Sequence, residues 1–281
     1  MDKEYIHSFI ANALAEDVGD GDHTSLATIP AGTQGKAKLL VKDSGILAGV
    51  ELANEIFHQV DPNLKVNVLL QDGAEISPKD IALEVEGDAQ SILKAERLVL
   101  NCMQRMSGVA TKTHQIVELL KGTETKVLDT RKTTPGMRYL EKWAVQIGGG
   151  VNHRFGLFDM ILIKDNHVDY SGGIKQALEN TKNYLQKTGK KLAIEIEVRN
   201  LDELQQVLDE GGVDRILLDN FNFDDLRKAV TMIGGKFDTE ASGGITIENI
   251  RQYAECGVDY ISVGALTHSV KSLDLSLKAV E

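Results

Sequence analysis

The sequence is short of cysteine and has no long apolar run. Its 281 residues include two cysteines, Cys102 and Cys256, which lie far apart and lack the spacing of metal ligands. This excludes a disulfide framework and a cysteine-based zinc site, and a reducing cytoplasm is the expected compartment. No uninterrupted apolar stretch approaches the roughly 18 residues of a membrane-spanning helix, so no membrane partner is expected.

Positive charge is also scarce over the chain as a whole. The formal net charge is −11 and the sequence isoelectric point is near 5.2. Nucleic acids and anionic membrane surfaces attract proteins through a basic face, so neither is an expected partner here. The amino-terminal stretch has acidic residues where a signal peptide has basic ones, which argues against export by that route.

The positive charge that is present is concentrated in one region. Between residues 127 and 166 lie Arg131, Lys132, Arg138, Lys142, Arg154 and Lys164. Only Glu141 and Asp159 are acidic between Arg131 and Lys164. Two short apolar runs, 127–128 and 161–163, are followed within three residues by cations, as buried strands are where α/β enzymes hold ligands. The sequence therefore predicts a site for a small anion in an otherwise acidic protein.

The first part of the chain reads as an α/β domain. Apolar spacing predicts a helix around residues 5–14 and another over 50–60. Short strand-like runs lie at residues 37–41, 45–48, 66–70 and 81–85. The helical pattern of residues 89–120 is long enough for two helices that meet near Ser107 and Gly108. The alternating residues from Leu273 onward predict a strand that returns to the first sheet.

The rest of the chain alternates strands with helices. The predicted strands are 127–129, 160–163, 192–198, 215–218, 237–240 and 260–263. The predicted helices between them include 174–185, 201–208, 223–230 and 247–254. Six or seven such units favour a parallel sheet that curls into a complete or slightly open barrel.

Chemically capable residues follow six of these strands in succession. They are Thr130 to Lys132, Lys164 to His167, Glu195 with Glu197, Asp219 with Asn220, Ser242 to Gly244, and Val263 to Ala265. One charge after a strand is usually a solvated loop or a helix cap. Because the carboxyl ends of parallel strands share an edge, the repeated pattern instead predicts one common site.

Two features of these strand ends indicate phosphate and metal binding. The glycine steps 242–244 and 264–265 each precede a predicted helix, whose backbone N–H groups could hold a phosphate. Glu197 and Asp219 end adjacent strands, and two carboxylates beside a phosphate are a usual half-site for Mg²⁺. The alternative for these carboxylates is an ion pair with one of the nearby cations.

The motifs resemble those of the quinolinate phosphoribosyltransferase family. The resemblance is carried by the continuous stretch from LDTRK to KDNH, by EIEV, LLDN, SGGI and VGALTHS, and by EDVGDGDHTS, AERLVLN and SGVAT earlier in the chain. It implies an α/β protein with two domains. These are an N-terminal α/β sandwich of residues 1–112, joined by the tail 270–281, and an open barrel of about seven strands over residues 113–269.

The resemblance also implies a reaction and its residues. Quinolinate would attack phosphoribosyl pyrophosphate through its ring nitrogen, pyrophosphate would leave, and decarboxylation would give nicotinate mononucleotide. Quinolinate carboxylates would be bound by Arg131, His153, Arg154 and Lys164, with Arg97 reaching in from a partner subunit. Thr130 and Lys132 would border substrate and pyrophosphate, Glu197 and Asp219 would hold Mg²⁺ and ribose hydroxyls, and Ser242, Gly243, Gly244, Val263, Gly264 and Ala265 would bind the 5′-phosphate. The implied catalytic residues are Lys132, Lys164, Glu197 and Asp219.

Other functions remain open from the sequence. A lysine at a barrel strand end could form a Schiff base, which would make the protein a lyase with Lys164 as nucleophile. A related enzyme could use nicotinate or another acid in place of quinolinate. A sensor of a phosphorylated metabolite is a third alternative, although no DNA-binding segment is recognisable. The resemblance implies a homodimer with a shared active site, and a hexamer of three such dimers is the alternative.

Overall fold

The computed structural model of the protein describes residues 3–280. Its helices are α1 (Lys3–Val18), α2 (His23–Thr28), α3 (Val50–Val60), α4 (Ala89–Leu119), α5 (Arg138–Ile147), α6 (Asp165–Ser171), α7 (Ile174–Thr188), α8 (Leu201–Glu210), α9 (Phe223–Ile233), α10 (Ile250–Ala254) and α11 (Ala265–His268). Its strands are β1 (Gln34–Val41), β2 (Gly45–Ile46), β3 (Lys65–Val68), β4 (Glu75–Ile76), β5 (Ile81–Asp88), β6 (Lys126–Leu128), β7 (Ile161–Ile163), β8 (Ile194–Val198), β9 (Arg215–Asp219), β10 (Asp238–Ser242), β11 (Tyr260–Ser262) and β12 (Leu275–Val280). None of the helices within residues 3–280 is long and apolar enough to span a lipid bilayer.

The chain divides into two compact units. The first comprises Met1–His114, Thr133–Gly149 and Leu266–Glu281, and the second comprises Gln115–Lys132 and Gly150–Ala265. The predicted boundaries, 112/113 and 269/270, differ from these by a few residues. The larger difference is the segment 133–149, which the sequence analysis assigned to the barrel and which belongs here to the first unit. This segment contains α5, a helix that the sequence analysis did not predict.

The first unit is built on an antiparallel sheet in the order β12-β1-β5-β3. Ala37, Leu39 and Val41 alternate along β1 and are buried, as expected for a strand with one face on the core. Leu39 lies opposite Leu277 of β12 and Leu83 of β5. The prediction that the last residues return to the first sheet is confirmed.

Helix α4 is continuous from Ala89 to Leu119, so the prediction of two helices meeting near Ser107 and Gly108 is wrong. The two residues serve packing inside the helix. Ser107 Oγ accepts a hydrogen bond from the Ala48 backbone N–H at 2.9 Å. A Cβ at Gly108 would clash with the carbonyl oxygen of Lys271. Glycine is required here because another segment of the same unit passes directly over the helix.

A buried ion pair also connects segments of the first unit that are distant in sequence. Glu141 of α5 is fully buried, and its Oε1 accepts hydrogen bonds from Arg105 Nη2 at 2.8 Å and Nε at 3.0 Å. The other Glu141 oxygen accepts the Thr134 backbone N–H at 3.1 Å. Arg105 Nη1 donates to the Val270 carbonyl oxygen at 3.2 Å. Because both ions have several partners, the pair holds α4, α5 and the chain near Val270 together.

The second unit contains a six-stranded parallel sheet in the order β6-β11-β10-β9-β8-β7. All six predicted strands are present within one or two residues at most ends, and the α/β fold with an open barrel is confirmed. Every residue of β8 is buried, as in parallel strands covered on both faces. Helices α8 and α9 are capped by the residues before them, Asn200 and Asn222, whose side chains accept hydrogen bonds from the N–H groups three residues later, at 2.9 Å in each case.

The sheet has six strands where about seven were predicted. The residue that comes closest to a seventh strand is Val151, which forms a single parallel bridge with Leu128 at the outer edge of β6. Its N–H donates to the Val127 carbonyl at 2.9 Å. Residues 153 and 154, two of the predicted site residues, follow this bridge in the chain and are positioned by it.

The glycine at position 108 provides a test of the first unit's packing. Gly108→Ala should lower the free energy of unfolding by ~1–3 kcal/mol because the added methyl group collides with the backbone at Lys271. Alanine is intrinsically the better helix former, so a net loss would show that packing dominates. Chemical denaturation measures the change, and Asn101→Ala, at an exposed position of the same helix, is the matched control. Equal or greater stability of the Gly108 variant would contradict this packing.

Candidate active site

A cavity of about 350 Å³ lies at the carboxyl ends of the parallel strands in the second unit. It is lined by Thr130, Arg131, Lys132, His153, Arg154, Leu162, Lys164, Leu217, Glu240, Ser242 and Ser262. The lining includes four cationic residues that come from three separate places in the chain. The sheet brings them together because Thr130 to Lys132 follow β6, His153 and Arg154 follow the Val151 bridge, and Lys164 follows β7.

The lysine after β7 is paired with a carboxylate of the next strand. Lys164 Nζ lies 3.3 Å from Glu197 Oε2, and the glutamate side chain is 8% exposed. The Lys164 backbone N–H donates to His167 Nδ1 at 2.9 Å, which closes the first turn of α6 and fixes where the lysine leaves the strand. The ion pair named as an alternative for the carboxylate pair is therefore present at Glu197.

A second group of ionisable residues lies beside these cations. His153 Nε2 is 3.0 Å from Glu195 Oε2 and 3.5 Å from Glu240 Oε2. Arg215 Nη1 is 3.2 Å from the same Glu240 oxygen, and its guanidinium lies 4.0 Å from the centre of the Tyr260 ring. Both glutamates are essentially fully buried within strands. The His153 imidazole thus contacts both carboxylates, and the Arg215 guanidinium contacts that of Glu240.

The backbone fixes the orientation of the histidine. The His153 N–H donates to Asp129 Oδ1 at 2.8 Å, and Asp129 is fully buried. The Arg154 backbone N–H donates to His153 Nδ1 at 2.7 Å. Since Nδ1 accepts a hydrogen bond, it carries no proton, and a neutral ring holds its proton on Nε2. The Nε2–H group is the one that faces the two glutamates.

Burial shifts the acid–base properties of these groups. Burial, followed by the charge of Glu195, raises the pKa of Glu240 to about 7. Burial likewise raises the pKa of Glu195, although the Arg215 charge opposes the shift. The pKa of Arg154 is lowered by burial and then by the neighbouring charge of Arg131. The cavity therefore combines closely spaced cations with one carboxylic acid, Glu240, whose pKa lies near neutral pH.

The glycine step after β10 has a packing function that the sequence did not reveal. A Cβ at Gly243 would clash with the Asn220 side chain, whose amide nitrogen donates to Asp219 Oδ2 at 2.6 Å. Gly243 has φ +92° and Gly244 has φ +62°, a region that favours glycine. The predicted helix 247–254 is present, but its predicted start is three residues too early, because α10 begins at Ile250 after a turn in which Asn249 Oδ1 accepts the Thr246 N–H. The loop, rather than a helix N-terminus, follows the glycines.

The predicted site residues divide into two groups. The cavity contains Thr130, Arg131, Lys132, His153, Arg154, Lys164 and Ser242. Its lining does not include Arg97, Glu197, Asp219, Gly243, Gly244, Val263, Gly264 and Ala265. Of these, Glu197 contacts Lys164, Asp219 is the register partner of Ser242, and Arg97 is exposed on α4 of the first unit. Arg138 and Lys142, the other cations of the basic region, lie on α5.

Sequence reasoning missed Glu240 as a residue of the cavity. It was included in a predicted strand and given no chemical role. The available signal was its position, since a glutamate inside a buried parallel strand is rare unless it has a partner or a function. Glu195 carries the same signal in β8.

Comparison with known families identifies the chain. A family model described as the N-terminal domain of quinolinate phosphoribosyl transferase matches residues 22–107, and the model of the C-terminal domain matches residues 109–278. The chain belongs to the quinolinate phosphoribosyl transferase family. The two matches together cover most of the chain, so the resemblance inferred from the motifs is confirmed.

Named relatives in this family are similar over nearly the whole length of this chain. The chain is 46% identical over 281 residues to quinolinate phosphoribosyltransferase (decarboxylating) 2b, mitochondrial, of Nicotiana tabacum, covering 95% of this chain and 80% of the relative. It is 45% identical over 288 residues to nicotinate-nucleotide pyrophosphorylase (carboxylating), chloroplastic, of Arabidopsis thaliana, covering 97% and 82%. The solved nicotinate-nucleotide pyrophosphorylase of Francisella tularensis matches with a TM-score of 0.92 and 39% identity, covering 100% of this chain and 98% of that one.

The raised pKa of Glu240 predicts a pH dependence of stability in this family member. Its ordinary value is 4.5 and its folded value is about 7, so the folded protein retains a proton that the unfolded chain has lost. This stabilisation is complete below the unfolded value and is lost as pH rises through the folded one. Glu240→Gln should therefore gain stability relative to the wild type between about pH 5 and about pH 8, by up to roughly 3 kcal/mol.

Denaturant titrations at the two pH values measure this difference. The matched control is Asp238→Asn, a carboxylate-to-amide change at a half-exposed side chain on the same strand. If the wild type and Glu240→Gln differ by the same amount at both pH values, the carboxyl group does not retain its proton on folding.

Proposed function

We propose that this protein transfers the phosphoribosyl group of phosphoribosyl pyrophosphate to quinolinate and releases nicotinate mononucleotide, pyrophosphate and CO₂. The reaction belongs to the de novo biosynthesis of NAD, and the enzyme is a pentosyltransferase. Family membership over the whole chain and the printed names of its relatives support this function. The structural observation that carries it is the cavity in which Arg131, Lys132, Arg154 and Lys164 come together.

The cations suit a substrate with two carboxylates. Arg131 and Arg154 are close enough for the charge of one to lower the pKa of the other, so each stabilises an anion placed between them. Arginine pairs with a carboxylate through two parallel hydrogen bonds, which orients a planar aromatic acid as well as binding it. Lys164 supplies a third positive charge from the opposite edge of the sheet. We assign these three residues and His153 to quinolinate.

Catalysis of the transfer requires positioning and electrostatics more than covalent chemistry. As pyrophosphate leaves, negative charge grows on the leaving group and positive charge grows on the ribose. Preorganised cations stabilise the negative charge on pyrophosphate, and carboxylates at the strand ends stabilise the positive charge on the ribose. We assign Lys132, with Thr130, to the pyrophosphate side of the cavity, and the Ser242–Gly244 and Val263–Ala265 segments to the 5′-phosphate.

Magnesium is the metal ion that the carboxylates of this site fit. Glu197 and Asp219 lie at the ends of adjacent parallel strands, and Asp219 is less deeply buried than Glu197. Mg²⁺ takes one or two carboxylates from a protein and completes its octahedron with water and substrate phosphates. When bound, it would neutralise charge on the departing pyrophosphate. Lys164 Nζ, 3.3 Å from Glu197 Oε2, holds this carboxylate in place.

Two other activities fit the site less well. A Schiff-base lyase needs a lysine whose amine is available to attack a carbonyl carbon, whereas Lys164 Nζ lies 3.3 Å from Glu197 Oε2. An enzyme specific for nicotinate, which has one carboxylate, would need fewer cations than the four that line this cavity. Quinolinate, which has two carboxylates, accounts better for the number of cations in the cavity.

A direct assay tests the proposed function. The protein is incubated with phosphoribosyl pyrophosphate, Mg²⁺ and either quinolinate or nicotinate, and nicotinate mononucleotide, pyrophosphate and CO₂ are measured. Quinolinate should give all three products. Product formation from nicotinate alone would identify the other acid as the substrate, and a borohydride-trapped adduct at Lys164 would indicate the lyase.

The carboxylates should control the metal requirement. Glu197→Gln and Asp219→Asn should each lower activity and raise the Mg²⁺ concentration needed for half-maximal rate by about tenfold or more, because a neutral amide is a poorer ligand for a hard dication. Magnesium titrations of the initial rate give the measurement, and Asp238→Asn on the neighbouring strand is the control. An unchanged magnesium requirement in both variants would remove the metal role.

We further propose a homodimer in which Arg97 completes the partner's site, with a trimer of such dimers as the larger alternative. Arg97 and Leu93 lie one turn apart on α4, and both are exposed, Leu93 to 43%. Beside them is a largely apolar groove of about 200 Å³ that includes Ile92 and Leu277. An exposed leucine and an apolar groove next to an arginine are typical of a surface covered by another subunit.

Mixing of two inactive variants tests the shared site. Arg97→Ala and Arg131→Ala should each be nearly inactive as homodimers, because each site lacks one substrate cation. In a hybrid dimer, one site has both arginines and the other has neither. Random exchange should therefore restore roughly a quarter of the wild-type sites. Mass spectrometry establishes that subunits have exchanged, and absence of recovery after exchange would place Arg97 outside the partner's site.

A further inference from the structure

The carboxyl group of Glu240 is the feature of the cavity that substrate binding does not use. It lines the cavity together with cations that suit an anionic substrate. Its Oε2 contacts Arg215 Nη1 at 3.2 Å and His153 Nε2 at 3.5 Å. Its Oε1 is buried and has no hydrogen-bond partner among residues 3–280. An ionised oxygen in that position loses its solvation without compensation, which favours a protonated group.

The geometry of His153, Glu195 and Glu240 also resembles a metal site, since one ligand atom from each lies within 4.8 Å of the others. The tautomer of the histidine argues against metal binding. Nδ1 accepts the Arg154 backbone N–H, so the ring proton lies on Nε2, the atom that a metal ion would need. A metal at Nε2 would require an imidazolate. The cluster of His153, Glu195 and Glu240 therefore suits proton binding rather than metal binding.

The surroundings of Glu240 keep its acid form available. The groups facing it are Glu195, His153, Arg215 and the Ser262 hydroxyl, and Arg154 and Lys164 act on the neighbouring Glu195. Burial and the Glu195 charge raise its pKa to about 7. Arg215 and the His153 N–H stabilise the carboxylate that remains after a proton is given up. A group with these properties can donate a proton near neutral pH and recover it between turnovers.

The proposed reaction has a step that needs such a donor. When the 2-carboxylate of quinolinate leaves as CO₂, the bond between it and ring carbon C2 breaks, and the electron pair stays on C2. A proton must then form the C2–H bond of nicotinate mononucleotide. The cations of the cavity have no role in that step, since they bind the carboxylates and phosphates.

We infer that Glu240 is the general acid that protonates C2 during decarboxylation. This inference rests on the proposed function. The proton passes from the Glu240 carboxyl group to C2, CO₂ departs, and Glu240 is left as a carboxylate beside Arg215 and His153. Solvent returns the proton before the next turnover, so no oxidant, reductant or further reactant is needed. Glu240 then acts after phosphoribosyl transfer, in a step separate from pyrophosphate release.

Single-turnover kinetics separates the two steps. Wild type, Glu240→Gln and Glu240→Asp are mixed with phosphoribosyl pyrophosphate, Mg²⁺ and quinolinate labelled with ¹⁴C in its 2-carboxylate, and pyrophosphate and ¹⁴CO₂ are followed after rapid quenching. Glu240→Gln should release pyrophosphate within about threefold of the wild-type rate but ¹⁴CO₂ about 100-fold more slowly, the usual size of a general-acid contribution. The nucleotide that retains both carboxylates should accumulate. Glu240→Asp, which keeps an acid, should recover part of the ¹⁴CO₂ rate.

The matched control and the wild-type pH profile make the test decisive. Asp238→Asn also removes a carboxylate near Arg215, at 3.9 Å, but lies outside the cavity lining, and both of its rates should match the wild type. In the wild type, the ratio of ¹⁴CO₂ to pyrophosphate release rates should fall as pH rises through the pKa of Glu240. This measurement stands even if Glu240→Gln does not fold.

Three outcomes would overturn the inference. They are an equal fall of both rates in Glu240→Gln, no change in either rate, and a ratio in the wild type that does not vary with pH. Failure of the wild type to release any pyrophosphate from quinolinate would instead refute the proposed function.

Discussion

The structure of the second unit depends on how glutamates of a buried sheet provide partners for basic side chains at its carboxyl end. Lys164 contacts Glu197, His153 contacts Glu195, and Arg215 contacts Glu240. All three glutamates belong to strands in which side chains are covered on both faces. Glu197 balances the charge of Lys164, whereas Glu240, whose pKa is raised to about 7, accepts a hydrogen bond from Arg215 Nη1 at 3.2 Å. The glutamates therefore make it possible for an acidic protein to keep an anion-binding cavity preorganised before substrate arrives.

Much of this architecture could be predicted from local patterns. The parallel strands appear as short apolar runs, the helices between them have clear periodicity, and α3 has the predicted bounds. Residues that follow a strand, such as Arg131 and Lys164, could be assigned to one common site because the carboxyl ends of parallel strands share an edge of the sheet. These inferences depend only on sequence neighbours and on a general rule of topology.

The errors arose where distant segments determine the local structure. Gly108 looked like a break between helices, but it makes room for the chain at Lys271, more than 160 positions later. Helix α5 is amphipathic, yet its membership of the first unit depends on the buried contact of Glu141 with Arg105. In the sequence, Glu240 resembles an ordinary strand residue. Its role depends on side chains that the neighbouring strands β8, β9 and β11 bring close to it. No local pattern in the sequence contains this information.

The return of the chain to its first sheet has a consequence for biosynthesis. Strand β12 pairs with β1 over Lys36 to Val41, so one edge of the first unit is supplied by residues that are synthesised after the whole of the second unit. Until then, β1 pairs with β5 alone and exposes an unpaired edge, which other chains can bind. The barrel is synthesised during this interval. The sheet of the first unit is thus completed only after the second unit has been synthesised, and its strand edge is open to association during that interval.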